Sequence, residues 1–235
     1  MYLSNAYLVV DDLGLGVLID GHGEAQELVD LVDRDGIDVQ AILLTHHHGD
    51  HVQIGEYERF GVPVLASERA AGLIGGDVVD RVLADGETVE FGGLRIQAIP
   101  TPGHSAGHLA LLVNDDDVFT ADVLFKGTVG GSRAPGNTGF DDLRASVMRL
   151  MELPPETRVH PGHREPTTIG EESENNVFVR AFRGQEPELG EPVRVAGRDA
   201  ELLIWGPDYD GGHKAWVRFP DGSQDITGGS QVERG

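Results

Sequence analysis

Residues 46 to 51 read His-His-His-Gly-Asp-His, four histidines and an aspartate within six positions, one residue after the apolar run Ile42-Leu43-Leu44. Such a density of polar rings does not pack into a core, so the segment is either a solvated loop or part of a metal site. Ile37 to Leu44 reads as a strand. His46 and His48, two apart just past its end, project to the same side. Asp50 and His51 follow where the chain is expected to turn into a short helix, capped by Asp50, running to Phe60 and closed by Gly61. Histidine nitrogen and carboxylate oxygen are ligands for zinc, iron or manganese. The chain has no cysteine, which excludes thiolate ligands, disulfides and a thiol nucleophile.

The remaining apolar runs place further candidate ligands in the same setting. Tyr7 to Asp20 is two apolar runs broken by DDLGLG, a hairpin signal. Gly23 to Asp35 has helical spacing and is closed by Gly36. Val62 to Ala66 is a short strand, and Glu90 to Ile99 a strand pair that leads into TPGHSAGH and His104. Leu109 to Val113 and Val118 to Thr120 form a hairpin ending at Ala121-Asp122. Leu143 to Leu153 is helical. Arg158 to His160 is a strand that leads into PGH and His163. Alternating strands and helices predict a layered α/β or α+β domain. Each candidate ligand lies just past a strand end, where loops on a rigid scaffold carry function. Four such loops meeting at one edge would assemble a two-metal site.

Residues 1–183 form this unit. GQEPELGEP over 184–192 is polar and proline-containing and reads as a linker. The short strand candidates VRVA, AELLIW, KAWVRF and QDIT then make 193–235 a β-only module, with an SH3-like small barrel as the compositional match. A module this small needs support from the main domain or a partner subunit, so it is also a candidate surface for a homo-oligomer.

Forty acids against 18 bases give a net charge of −22, and only Lys126 and Lys214 are lysines. That balance argues against nucleic-acid or anionic-membrane partners, which require a basic face. An acid excess with almost no lysine fits a chain adapted to high salt. No apolar run is long enough to span a membrane, and the N-terminal residues show no signal pattern, so a cytoplasmic protein is expected.

Taken together, His46-x-His48-x-Asp50-His51, His104 in TPGHSAGH, Asp122 in TADVLF and His163 in PGH resemble the metallo-β-lactamase superfamily over residues 1–183. The resemblance implies a four-layered αβ/βα sandwich with the metals at one edge of its two sheets. It assigns His46, His48 and His104 to a first ion and Asp50, His51 and His163 to a second, with Asp122 bridging. Two divalent ions, zinc or alternatively iron or manganese, then share a hydroxide that acts as nucleophile, and Asp50 and Asp122 are the acids of that chemistry. Asp20 matches an acid that braces a ligand histidine, with a plain turn acid as the alternative. His47 is expected to point away from its neighbours, and His160 is the rival of His163. His108 is expected to be structural, His213 to lie on the surface, and His22 either to face the site or to lie on the surface.

The segment PGHREPTTIGEESENN, and LFKGTVGGSRAPG after Asp122, are similar to the glyoxalase II-like branch. That likeness implies hydrolysis of a small-molecule thioester, a conjugate of glutathione or another low-molecular-weight thiol. Two features depart from the branch. Gly130-Gly131-Ser132-Arg133 stands where Gly-Arg-Ser/Thr-Asp is usual, and a β module replaces a helical C-terminal domain. Lys126 and Arg133 are candidate anchors for an anionic conjugate; a surface lysine is the plain reading of the first. The alternatives are a mononuclear-iron persulfide dioxygenase of the same fold, its iron held by His46, His104 or their neighbours with Asp122, and another superfamily hydrolase such as a β-lactamase or lactonase.

Overall fold

The computed structural model describes residues 4–21, 26–75 and 77–235. Strands β1 (Tyr7–Val10), β2 (Leu15–Ile19), β3 (Asp38–Leu43), β4 (Val64–Ser67) and β5 (Arg81–Leu83) form one sheet in sequential order. It is parallel except for the β1–β2 hairpin, whose turn Asp11 ties by accepting from Leu13 N and Leu15 N. Strands β6 (Thr88–Phe91), β7 (Leu94–Pro100), β8 (Leu109–Val113), β9 (Asp117–Ala121), β12 (Arg158–Pro161) and β13 (Thr167–Thr168) form the second, in the order β13-β12-β9-β8-β7-β6. The two-stranded ribbon β10 (Leu124–Phe125) and β11 (Thr128–Val129) follows β9 directly.

Alternation of side chains along each strand sorts them into layers. Val17, Ile19, Ala41 and Leu43 of the first sheet meet Ile96, Ala98, Leu109 and Leu111 of the second in a buried sandwich core. Their neighbours Leu18, Ile42 and Leu44 face the other way, against Val29 and Val32 of helix α1 (Gln26–Asp35) and Ala70 of α2 (Glu68–Ile74). On the far side, Ala110, Leu112, Val118 and Val159 pack against α3 (Phe140–Leu150) and α5 (Val177–Phe182). The result is the expected αβ/βα sandwich. Residues 23–25 of the predicted first helix, and His22, lie outside the described residues.

One predicted element is corrected. Asp50 caps no helix: the segment towards Phe60 is a 3₁₀ turn over Gly55–Phe60, preceded by Ile54 and without a side-chain cap. Gly61 closes it in the left-handed conformation, φ 60°. Two further helices, α4 (Ile169–Asn175) and α5, meet at Asn176.

Strands β14 (Glu191–Val195), β15 (Arg198–Pro207), β16 (His213–Arg218), β17 (Gln224–Gly228) and β18 (Val232–Arg234) form an antiparallel sheet ordered β17-β16-β15-β14-β18. Glu191 and Pro192, expected in the linker, are its first strand residues. Leu203, Ile204, Trp216 and Ile226 join the same buried cluster as Phe140, Phe178 and Phe182 of the preceding helices. The Trp216 indole stacks on Phe140 at 5.2 Å. The main domain is thus the surface on which this small sheet rests. No helix among the described residues is long and apolar enough to cross a membrane.

Candidate metal centre

The edge where β3, β7, β9 and β12 end collects the polar loops into one cluster, buried except at His48 and Asp50. From the loop after β3, His46 Nε2 and His48 Nδ1 approach to 3.1 Å. His104, from the loop after β7, brings its Nε2 to 3.0 Å from the same His48 nitrogen and to 3.5 Å from Asp122 Oδ2. Beside this group, His51 Nε2 lies 3.3 Å from Asp122 Oδ1 and 3.9 Å from Asp50 Oδ2. His163 Nε2 is 3.6 Å from both of those oxygens. A tetrahedral ion with bonds of about 2.0–2.1 Å separates its ligand atoms by roughly 3.3 Å, so both donor groups have the spacing an ion requires. The two oxygens of Asp122 point one into each group.

Two buried atoms test the fit independently. His51 Nε2 and Asp122 Oδ1 have no hydrogen-bond partner among the described residues. An unpaired buried donor or acceptor costs about 1–3 kcal/mol, more when charged. A shared cation removes that cost, and histidine with carboxylate is the donor set of a divalent ion.

The outer nitrogens fix which ring atom faces inward. His48 Nε2 donates to Pro135 O at 2.9 Å and His104 Nδ1 to Gly131 O at 3.0 Å. Asp20 accepts from Thr45 N, Thr45 Oγ1 and His51 Nδ1 at 2.8, 2.7 and 2.9 Å. Because the Thr45 hydroxyl proton goes to Asp20, its oxygen is left to accept from His46 Nδ1 at 3.0 Å. Both Asp20 oxygens are therefore committed to braces rather than aimed at an ion. Each of these contacts leaves the inward nitrogen with a lone pair.

Electrostatics agree with that arrangement. Burial, reinforced by His51 and His108, pushes the pKa of His46 well below the ordinary histidine value. Burial likewise pulls His104 down to about 4. For Asp122 burial acts upward, but His51 and His163 prevail and hold the carboxyl well below its usual range. At His51 burial opposes the charged form, yet Asp122 and Asp20 win and raise the pKa.

Backbone geometry aims these side chains. Asp20 and Ala121 adopt left-handed conformations, φ 55° and 38°, uncommon for residues with a Cβ and concentrated at functional sites. At Gly162 an added Cβ would lie 2.2 Å from Asp122 Oδ1 and 2.8 Å from His51 Cε1. Only glycine lets the PGH loop pass so close.

The other histidines are placed elsewhere. His47 Nδ1 turns to Ser105 Oγ at 2.8 Å. His160 Nε2 binds Asp117 Oδ1 at 2.7 Å, away from the cluster. Buried His108 donates from Nδ1 to Thr101 Oγ1 at 2.8 Å, and its Nε2 accepts from Asp122 N at 3.3 Å. It thereby holds the backbone of the acid between the groups. His213 is exposed and stacks on Trp205. Lys126 Nζ lies 3.3 Å from Glu165 Oε1, both about half exposed, and Arg133 reaches Asp225 at 3.5 Å.

Two neighbours of the cluster come from the C-terminal sheet, where the sequence offered little signal. Tyr209, in the β15–β16 loop, stacks on the His163 ring with centroids 4.5 Å apart and planes 5° from parallel. Lys214 is buried, paired with Asp208 at 3.0 Å, and donates to Val129 O at 2.7 Å. Nothing in the sequence indicated that it would be buried.

Comparison with known proteins places this geometry. The sequence matches the family described as Metallo-beta-lactamase superfamily over residues 2–52 and 54–163. It is 36% identical to a hydroxyacylglutathione hydrolase of Rhizobium meliloti across 60% of this chain and 54% of that protein. It is 29% identical to hydroxyacylglutathione hydrolase GloC of Haemophilus influenzae across 77% of this chain and 94% of that one. The chain spans about half the length of the first curated relatives it matches. Among solved structures, the BLEG-1 B3 metallo-beta-lactamase superposes with TM-score 0.69 at 28% identity, covering 75% of this chain and 94% of that one. ETHE1 from Myxococcus xanthus gives 0.67 at 29%, covering 77% and 83%. TTHA1623 in a di-iron-bound form gives 0.63 at 37%, covering 74% and 94%.

Proposed function

The chain belongs to the metallo-beta-lactamase superfamily, and on that premise we propose that it is a two-metal hydrolase of small-molecule thioesters. The observation that carries the two-metal reading is Asp122, whose Oδ2 faces one donor group and Oδ1 the other. His46, His48 and His104 would hold the first ion and Asp50, His51 and His163 the second, with one Asp122 oxygen facing each group. A pair of divalent ions so held supplies an activated water nucleophile and Lewis-acid polarisation of a carbonyl. Zinc and iron both suit the donor set.

The residues of the chain do the rest. Asp20 and Thr45 orient His51 and His46, while the carbonyls of Pro135 and Gly131 orient His48 and His104. His108 fixes the backbone of Asp122. Lys126, exposed and paired with half-exposed Glu165, anchors the negative end of a thiol conjugate, with Arg133 as a second such cation. The thioester class is supported by the relatives named hydroxyacylglutathione hydrolase.

The likeness to ETHE1 favours testing a second reading, an iron-dependent persulfide dioxygenase using only the first donor group. Elemental analysis of purified protein, with thioester hydrolysis and persulfide-dependent oxygen uptake measured on the same preparation, separates the two. About two ions per chain with thioester turnover is the expected result. One iron per chain with oxygen consumption would overturn it.

A further inference from the structure

We propose that Ser4 and Asn5 form a clamp that sets the second donor group, Asn5 as the positioning residue for the His163 loop and Ser4 for that of Asp50. The inference rests on the two-ion assignment above. The second donor group is drawn from two loops far apart in sequence, one carrying Asp50 and His51, the other Pro161-Gly162-His163-Arg164. Two consecutive residues just ahead of β1 reach one loop each. The Asn5 backbone N donates to Gly162 O at 2.6 Å, and its Nδ2 lies 3.0 Å from Pro161 O and 2.7 Å from Arg164 O. Buried Ser4 donates its hydroxyl to Asp50 O. Tyr7 Oη accepts from Asn5 Nδ2 at 3.0 Å and donates to Pro161 O at 2.6 Å, which steadies the amide.

These bonds all fall on the backbone of the ligand loops, so they fix where each side chain starts from, whatever that side chain itself meets. Asn5 collects carbonyls on both sides of His163. Arg164, the next residue, is held at φ 69°, a conformation that a residue with a Cβ keeps only where its surroundings over-determine it. The Asn5 amide on its carbonyl is one such restraint. From the other side Gly162 N donates to Ala121 O at 2.8 Å, so the turn is pinned between Asn5 and the strand end next to Asp122. Asp50 has the most exposed side chain of its group, 41% accessible against 0% for His51 and 5% for His163. Packing does least for it, and the Ser4 hydroxyl binds its carbonyl. Metal–ligand bonds keep within about 0.2 Å of fixed lengths, so both loops need their backbones held if they are to share an ion.

The test counts metal, so it is independent of which substrate is turned over. The full chain loaded with Zn²⁺ is equilibrated with graded chelator, and zinc per chain is counted for wild type and Asn5→Ala. Asn5→Ala should release one of its two ions at about tenfold lower chelator strength, the low end for loss of an outer partner of a ligand. The other ion should leave at the wild-type strength. Added to His51→Ala, which is expected to lack the second ion, Asn5→Ala should not move retention of the remaining one. A role in general stability would instead weaken both ions together. Should Asn5→Ala not fold, Ser4→Ala removes the bond to Asp50 and is read in the same way. Unchanged retention of both ions, equal weakening of both, or a further loss in the His51→Ala background overturns the inference alone. A wild type holding a single ion overturns the two-ion assignment and the inference with it.

Discussion

At the residue scale the structure separates two adjacent kinds of histidine by where their second nitrogen goes. His51 turns Nδ1 to Asp20 and Nε2 to Asp122, whereas His47 spends Nδ1 on Ser105. His51→Ala should therefore leave about one ion per chain and strongly reduce hydrolysis. His47→Ala should keep both ions and lose on the order of 1 kcal/mol of stability with its hydrogen bond to Ser105. Equal metal loss in the two variants would contradict this division. Asp20→Asn is a sharper probe because it preserves shape. Three donors converge on the carboxylate, and an amide would turn its NH₂ against one of them. Zinc affinity should fall by about 10–100-fold, as is usual when an outer partner of a ligand is removed. A titration giving wild-type affinity would show that Asp20 braces nothing. The ligand histidines were legible because each follows an apolar strand directly; Tyr209 was not, since a tyrosine in a Gly-Asp-rich hairpin tip carries no mark of the ring it will meet.

At the element scale, strands were legible where a short apolar run is buried on both faces, as in β2, β3 and β8, and helices where the apolar stripe runs past two turns, as in α1 and α3. The short helices α2, α4 and α5 have six or seven residues each, too few for a period to show. Side chains cap two of them in the structure: Thr168 accepts from Glu171 N, and Asn176 accepts from Phe178 N and Val179 N. Sequence similarity marked TTIGEESENN as a family tail, and the structure supplies its physical task. Glu172, buried, accepts from Gly127 N, Asn176 Nδ2 and Thr167 Oγ1, while Asn176 donates to Thr128 O. This network locks α4 and α5 to the ribbon β10–β11, immediately after Asp122. Asn176→Ala removes a cap and leaves several of these groups unpaired, so it should cost about 2–3 kcal/mol. Urea unfolding would measure it, and a loss below about 0.5 kcal/mol would show that the network is not holding the helices.

For the whole molecule, four layers converge on one edge, and a fifth unit, the C-terminal sheet, is joined to them through a common apolar cluster. Around this core lies a surface whose charge is far from balanced. Several arginines are already matched with acids, among them Arg34 with Asp35, Arg59 with Asp33, Arg81 with Glu87 and Arg234 with Glu191. With 40 acids and 18 bases, most of the remaining carboxylates have no cation to meet, and folding brings them together. Added salt acts on both sides of this balance. It weakens the exposed pairs, each worth about 0–1 kcal/mol, and it screens the repulsion among the excess acids. The second effect should win because the unmatched charges outnumber the pairs. Screening length shortens from about 10 Å at 0.1 M to about 3 Å at 1 M, so the gain should come mostly below 1 M and then level off. A relief of about 2–3 kcal/mol corresponds to a rise in Tm of roughly 5–10 °C for a chain of this size. Thermal melting in KCl from about 0.05 to 2 M checks this, with sucrose at matched osmolality as the uncharged control. A Tm that stays flat or falls, or that rises equally in sucrose, would show that self-repulsion does not limit the stability of this fold.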